Sequence, residues 1–358
     1  MNSKLYVCLL SVLSLLPHMA IAQDQSAAEL RRLGRIAFYE GRLNAAEQLL
    51  RKSVAMFEAA GDGFRTEIAT TRGDLAWLLV ATGEYREAEG FLESSLRFLK
   101  NRSEDCEHTA IIISHLGTVY HKTERYAAAE RLFKEALKQS ERCLPSYTEV
   151  VLNNLGILYA DTGKTKQAKA VFERALAVAE KQSKDTGSDL VLAQTLSNLA
   201  LVYDARGETS RAEESFAQSI QLLEKSLAGP HKTMAAAFLS IALEGFAQLH
   251  FHQGKLDEAE HEFARSKEIA FAAGNTGRVS KVSFELAEVL AAKGKYEDAK
   301  ILYQQAIQTG GSDTAQTATM LERFSKLLRT MKADRQAEEV EFRAKRIRAA
   351  MAYTTRAK

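Results

Sequence analysis

The chain has 358 residues, 46% of them hydrophobic and 26% charged, with a formal net charge of +2 and only three prolines. A charge balance this close to neutral argues against a dedicated nucleic-acid binder, which neutralises many phosphates with clustered Lys and Arg. The length admits two or three ordinary domains or one repeat array, and the scarcity of a helix breaker favours helices throughout.

Residues 1–22 have the form of a signal peptide. Lys4 supplies the positive start, residues 5–16 form an apolar run, and Ala20-Ile21-Ala22 is a small-x-small cleavage site, so the mature chain is expected to begin at Gln23. A run of twelve residues is too short to span a bilayer, so no integral membrane span is expected. An uncleaved anchor or a chance apolar start is the alternative. No cysteine follows the apolar run at the cleavage site, which gives no support to lipid anchoring. The expected compartment is periplasmic or secreted. Cys8 leaves with the signal peptide, and Cys106 and Cys143 remain as an even pair in an oxidising compartment.

Residues 153–176, NNLGILYADTGKTKQAKAVFERAL, set the pattern for the rest. Small or apolar residues at i, i+3, i+4 and i+7 on both sides of Gly163 predict two amphipathic helices joined by a tight turn. The unit recurs seven times. Its first helix carries Gly34, Ala76, Gly117, Gly156, Ala200, Ala247 or Ala287. Its second carries Ala46, Ala88, Ala129, Ala168, Ala212, Ala259 or Ala299. Four residues on stands a large group: Leu50, Leu92, Phe133, Phe172, Phe216, Phe263 or Tyr303. Three further on stands Ser53, Ser95, Ala136, Ala175, Ser219, Ser266 or Ala306. Antiparallel helices approach closely only where both carry small side chains, and Gly156 against Ala168 is the expected contact. Ser or Ala in the last column is expected to let the following unit dock. Gly41, Gly83, Gly163, Gly207, Gly254 and Gly294 end the first helices in a left-handed turn, with Glu124 in that place in the third unit.

These columns resemble the tetratricopeptide repeat, whose period is about 34 residues. Here the small residues of successive first helices are 42, 41, 39, 44, 47 and 40 apart, so the units are long. Long units, the Asn-Leu pairs at Asn154-Leu155 and Asn198-Leu199, and LEKSLAGPHKT at residues 223–233 resemble the kinesin-light-chain-like subfamily. The resemblance implies an all-α, right-handed α-solenoid over residues 23–348. Units are expected near 27–60, 66–101, 107–143, 147–185, 189–228, 233–273 and 277–310. A capping unit is expected at 314–348, where Lys332 replaces the turn glycine and Glu341 the aromatic, and a frayed tail at 349–358.

Cys106 precedes the first helix of the third unit and Cys143 follows its second. Antiparallel helices bring those ends together, so a disulfide closing the hairpin is the preferred reading. Two buried thiols, or a geometry too wide to bridge, are the alternatives. A redox-active pair is disfavoured because the short C-x-x-C spacing is missing.

No catalytic residue, metal site or cofactor is expected. G-x-S-x-G, the P-loop and G-x-G-x-x-G are absent from the sequence. The clusters His108, His115, His121 and His250, His252, His261 lack metal-ligand spacing, and His250 falls at a core position equivalent to Tyr159.

The resemblance places the first helices along a concave groove. The expected lining runs from Arg31, Arg32 and Arg35 through Asp74 and Trp77 to Ser114, His115, Thr118 and His121. It continues through Asn153, Asn154 and Asp161, then Ser197, Asn198 and Asp204, and ends with Glu244, Gln248, His252, Glu285 and Glu288. Asn154 and Asn198 matter most, because an amide both donates and accepts and can clamp an extended peptide backbone. The alternative is that they only hydrogen-bond the neighbouring helix, and Trp77 is read equally as a groove anchor or a core residue. The implied function is a peptide- or protein-binding scaffold. A structural adaptor using convex or end surfaces, and a metal sensor or enzyme, are the competing readings.

Overall fold

The computed structural model describes residues 26–38, 41–99, 105–186, 189–229, 231–311 and 314–356. Residues 1–22, read above as a signal peptide, lie outside them, as does Pro230 of the Gly-Pro-His sequence. Helix α1 covers residues 26–38. It is followed by α2 (Leu43–Ala60), α3 (Arg65–Thr82), α4 (Tyr85–Leu99), α5 (Cys106–Lys122), α6 (Tyr126–Cys143), α7 (Thr148–Asp161) and α8 (Thr165–Thr186). Then come α9 (Leu190–Ala205), α10 (Thr209–Ser226), α11 (Lys232–His252), α12 (Leu256–Ala272), α13 (Thr276–Ala292), α14 (Tyr296–Gly310), α15 (Ala315–Thr330) and α16 (Asp334–Arg356). Among the described residues there is no strand. The chain divides into two compact units, the first ending at Val191 and the second beginning at Leu192.

In each unit, consecutive helices pair as hairpins, and each hairpin packs on the next. The alternation follows from amphipathicity: one hairpin cannot bury both of its apolar faces, so a neighbour must cover the second. The small columns are the points of closest approach. Ala46, Ala88, Ala129, Ala168, Ala212, Ala259 and Ala299 are all fully buried. The partner of Gly156 is the aromatic ring of its own hairpin: a Cβ there would lie 2.6 Å from the Phe172 ring, and one at Gly117 would lie 2.8 Å from Phe133. Gly156 thus makes room for a large side chain rather than for Ala168.

The serine column also works inside the hairpin. Ser53 donates to the carbonyl of Ala27 and Ser219 to that of Ala193, both at 2.7 Å, and Ser266 donates to Ser240 at 2.7 Å. Where this column holds Ala306, the bond is reversed, and Ser280 of the first helix donates to the Ala306 carbonyl at 2.7 Å. A buried hydroxyl with such a partner contributes about 1 kcal/mol and sets the rotation of one helix against the other.

The turn glycines at 41, 83, 163, 207, 254 and 294 all have positive φ. Glu124 is forced into the same conformation at φ 62, and Lys332 at φ 61. The C-terminal stretch differs from the expected fray: α16 runs on through Arg356. Helix α11 is long and apolar enough to cross a membrane by length and composition. It packs between α10 and α12 and buries Glu244 and His250, so it is built as a core helix.

Two substitutions test this packing. Glu124→Gly removes the left-handed strain and should raise stability by about 1 kcal/mol. Gly156→Ala drives a methyl into the Phe172 ring and should lower it by about 1–3 kcal/mol. Urea unfolding of each variant reads both signs.

Candidate functional site

In the first unit α3 packs on α5 and α5 on α7, so three first helices share one face. Asp74, His115 and Asn154 occupy the same register on them, nine residues before the positive-φ residues Gly83, Glu124 and Gly163. Asp74 is half-buried and receives Arg31 Nε from α1 at 2.6 Å. The indole of Trp77 stacks on His115 with ring centroids 4.8 Å apart. Asn154 is half-exposed and donates from Nδ2 to Ser114 Oγ at 3.3 Å. One turn further along, His121 Nε2 meets Asp161 Oδ2 at 2.9 Å.

The adjacent asparagine does not reach this face. Asn153 is only 5% exposed, and its amide is spent on the carbonyl and carboxylate of Glu149. A step of one residue rotates a side chain by about 100°, which separates a lining position from a buried one. Ser114, Thr118 and His121 are likewise buried. Ser114 supports the lining residue Asn154, and His121 reaches solvent through its exposed partner Asp161.

On this face Asp74 is paired with the Arg31 cation, whereas the exposed Asp161 carboxylate meets only a histidine. Burial pushes the His115 imidazole down to about 4, against the pull of the Asp74 carboxylate and the nearby Gly73 backbone. His121 is also lowered by burial, which outweighs Asp161. At neutral pH the Trp77–His115 stack is therefore an uncharged aromatic platform, flanked by an amide and an ion pair.

In the second unit Asn198, Gly245 and Glu285 hold the same register on α9, α11 and α13, before Gly207, Gly254 and Gly294. Asn198 is half-exposed. Asp204 lies 3.9 Å from His252 Nδ1. Gly245 accepts the Phe216 ring, 2.8 Å from where a Cβ would sit, with Leu201 3.5 Å away. Glu285 accepts from Gln248 Nε2 at 2.8 Å, while its Oε2 is enclosed with no partner. Nearby, buried Glu244 holds Arg278 at 2.5 Å and also Lys281. Burial, reinforced by the negative charge of Glu244, pushes Glu285 up to about 7. His250 lies in the core, its Nδ1 3.0 Å from Glu262 Oε2, and burial raises Glu262 in turn.

Cys106, at the start of α5, and Cys143, at the end of α6, have Cα atoms 6.1 Å apart, within the span a disulfide bridges. Arg142 Nη2 lies 3.1 Å from Cys106 Sγ. A row of ion pairs crosses from each hairpin to the next on the second helices. Examples are Arg51–Glu87 at 2.7 Å, Arg125–Glu89 at 2.6 Å and Lys164–Glu130 at 2.8 Å. These pairs are exposed and contribute little each.

This architecture is a helical-hairpin repeat scaffold with a polar, aromatic-bearing face on its first helices. Two tetratricopeptide repeat models match the sequence, one over residues 24–101, 108–181 and 238–309 and the other over 192–231. The chain belongs to the tetratricopeptide repeat family. No curated protein matches it significantly. Among solved structures, the apo form of RapI matches with a TM-score of 0.57 at 13% identity, over 80% of this chain and 99% of that one. Aspartyl phosphate phosphatase F from Bacillus subtilis gives 0.57 at 14% identity, over 90% and 94%. A tetratricopeptide repeat protein from Parabacteroides merdae gives 0.51 at 17% identity, over 84% and 99%. At these identities the likeness is one of fold.

The two shifted groups make opposite pH predictions. A histidine held near 4 rather than 6.5 binds fewer protons when folded, so its contribution is present above pH 6.5 and lost as pH falls towards 4. A glutamate held near 7 rather than 4.5 binds more protons when folded, so its contribution is lost as pH rises from 4.5 to 7. Each amounts to roughly 3 kcal/mol. Glu285→Gln should reduce the loss between pH 4.5 and 7, and His115→Phe should reduce the loss between pH 6.5 and 4. Urea unfolding across pH checks both, and an unchanged slope in either variant rejects that residue as the source.

Proposed function

We propose that this protein is a non-catalytic scaffold that holds an extended segment of a protein partner against the first helices of its repeats. The observation that carries the reading is the face on α3, α5 and α7. There a half-exposed amide, an aromatic stack and an internally paired acid stand in one register. An amide both donates and accepts, so Asn154 suits the backbone of an extended chain, and Asn198 suits the same role in the second unit. Trp77 offers a large, rigid apolar surface of the kind that anchors interfaces. The Arg31-paired Asp74 and the uncharged Trp77–His115 stack favour backbone and apolar side chains as the features to recognise. Long units and the Asn-Leu pairs support placement in the kinesin-light-chain-like subfamily.

We further propose that the protein works outside the cytoplasm, on the strength of the signal-peptide pattern in residues 1–22. A Cys106–Cys143 disulfide fits that compartment. Closing a loop with a sequence separation of 37 would stabilise the first unit by about 3–4 kcal/mol in the chain-entropy model.

The partner is tested by recovery from the native host with the intact protein and with the Asn154→Ala/Asn198→Ala and Trp77→Ala variants. Loss of the same partner from both variants, with thermal unfolding unchanged, is the expected result. Unchanged recovery removes these residues from the mechanism and leaves the outer surfaces as the binding site. Non-reducing peptide mapping should return Cys106 and Cys143 in one linked pair of peptides; two free thiols would remove the staple.

A further inference from the structure

The two cysteines sit in opposite electrostatic environments. Cys106 is the first residue of α5, at the positive end of that helix, whereas Cys143 is the last residue of α6, at a negative end. The exposed guanidinium of Arg142 lies 3.1 Å from Cys106 Sγ and is steadied at 2.9 Å by Gln139 Oε1. Cys143 Sγ, apart from its pairing with Cys106, lies 3.0 Å from the Gln139 carbonyl oxygen. Access is unequal too: Cys106 is buried, and Cys143 is half-exposed. The groups that oppose a negative sulfur at position 106 are Asp105, Glu107 and the oxygen of Gln139, which lies 3.2 Å from Cys106 Sγ. Asp105 is partly satisfied by Thr66 Oγ1 at 3.0 Å, with His108 4.0 Å away. Of these surroundings, the Arg142 guanidinium in contact with Cys106 Sγ and the α5 terminus are the ones that favour a thiolate.

We infer that Cys106–Cys143 is a directional thiol-exchange site, at which a small-molecule thiolate attacks Cys143 and Cys106 is the leaving sulfur. The inference rests on the proposed disulfide. An incoming thiol first loses its proton to solvent. Its thiolate forms a new S–S bond with Cys143 Sγ while the Cys106–Cys143 bond breaks. Cys106 Sγ departs with the electron pair as a thiolate, held by Arg142 and the α5 terminus. A second thiolate then attacks the small-molecule sulfur of the mixed disulfide. Cys143 leaves and takes a proton from water, the two incoming thiols end as a disulfide, and the protein gains two electrons. A lower leaving-group pKa speeds this step, which is the advantage Arg142 confers.

The consequence reaches the proposed groove. Helix α6 passes through the short turn Pro145–Tyr147 directly into α7, which carries Asn154. Opening the staple frees the end of α6 from the start of α5 and so loosens the frame between two lining helices.

The experiment treats the oxidised protein with glutathione, quenches by alkylation, and locates the adducts by mass spectrometry. Glutathione on Cys143 with an alkylated Cys106 is expected. Glutathione mainly on Cys106, or shared equally, overturns the inference. Arg142→Gln should slow reduction roughly threefold for each unit by which the Cys106 thiol rises, taking a leaving-group sensitivity of the usual thiol-exchange order. Arg142→Lys should restore much of the rate, and an unchanged rate in Arg142→Gln also overturns the inference. Peptide mapping before treatment separates the cases: absence of the bond rejects the staple itself, whereas a bond that exchanges without direction rejects only this inference.

Discussion

The close approach of two helices within a hairpin is the constraint on which the rest depends. It requires a residue without a side chain where a ring must enter, as Gly156 receives Phe172 and Gly117 receives Phe133. It also requires a small residue opposite, and a hydroxyl where the backbone groups can be joined, as Ser53 joins the Ala27 carbonyl. Once these contacts are made, the apolar faces left over on each hairpin have one outlet, which is the next hairpin. The repeat is thus a consequence of incomplete burial, and the face proposed for binding is the surface of the first helices that this stacking leaves uncovered.

Most of the architecture was legible because it is written in local terms. Periodicity, small columns and turn glycines each act within one hairpin, and the positive φ of Glu124 follows from its place in the glycine column. What was not legible depends on rotation and on neighbours. Asn153 and Asn154 are alike in sequence, but only contact with Glu149 and Ser114 separates the buried one from the lining one. Gly245 could not be recognised from its own repeat, because the ring it receives belongs to Phe216 of the preceding hairpin. The serine column was visible as small residues, but its interhelical bonds were not, since Ala306 meets the same need through Ser280 on the opposite helix.

Buried polar groups are distributed differently in the two units. The first encloses His115 between an indole and a backbone carbonyl and keeps it neutral. The second encloses three glutamates: Glu244 holds two cations, Glu262 meets His250, and Glu285 keeps one oxygen without a hydrogen-bond partner. Neither arrangement follows from the repeat pattern, which needs only apolar and small residues at its contacts. Departures of this kind from local consistency, on the face left uncovered by stacking, are where selection for something other than stability is expected.

Trp77 is the only tryptophan in the chain, and it stacks on His115 on the face proposed for binding. An imidazolium quenches a stacked indole far more strongly than a neutral imidazole does. The protein therefore carries its own optical reporter. Its indole emission comes from one place, responds to whatever displaces or covers that ring, and needs no added dye to reveal when the face is occupied.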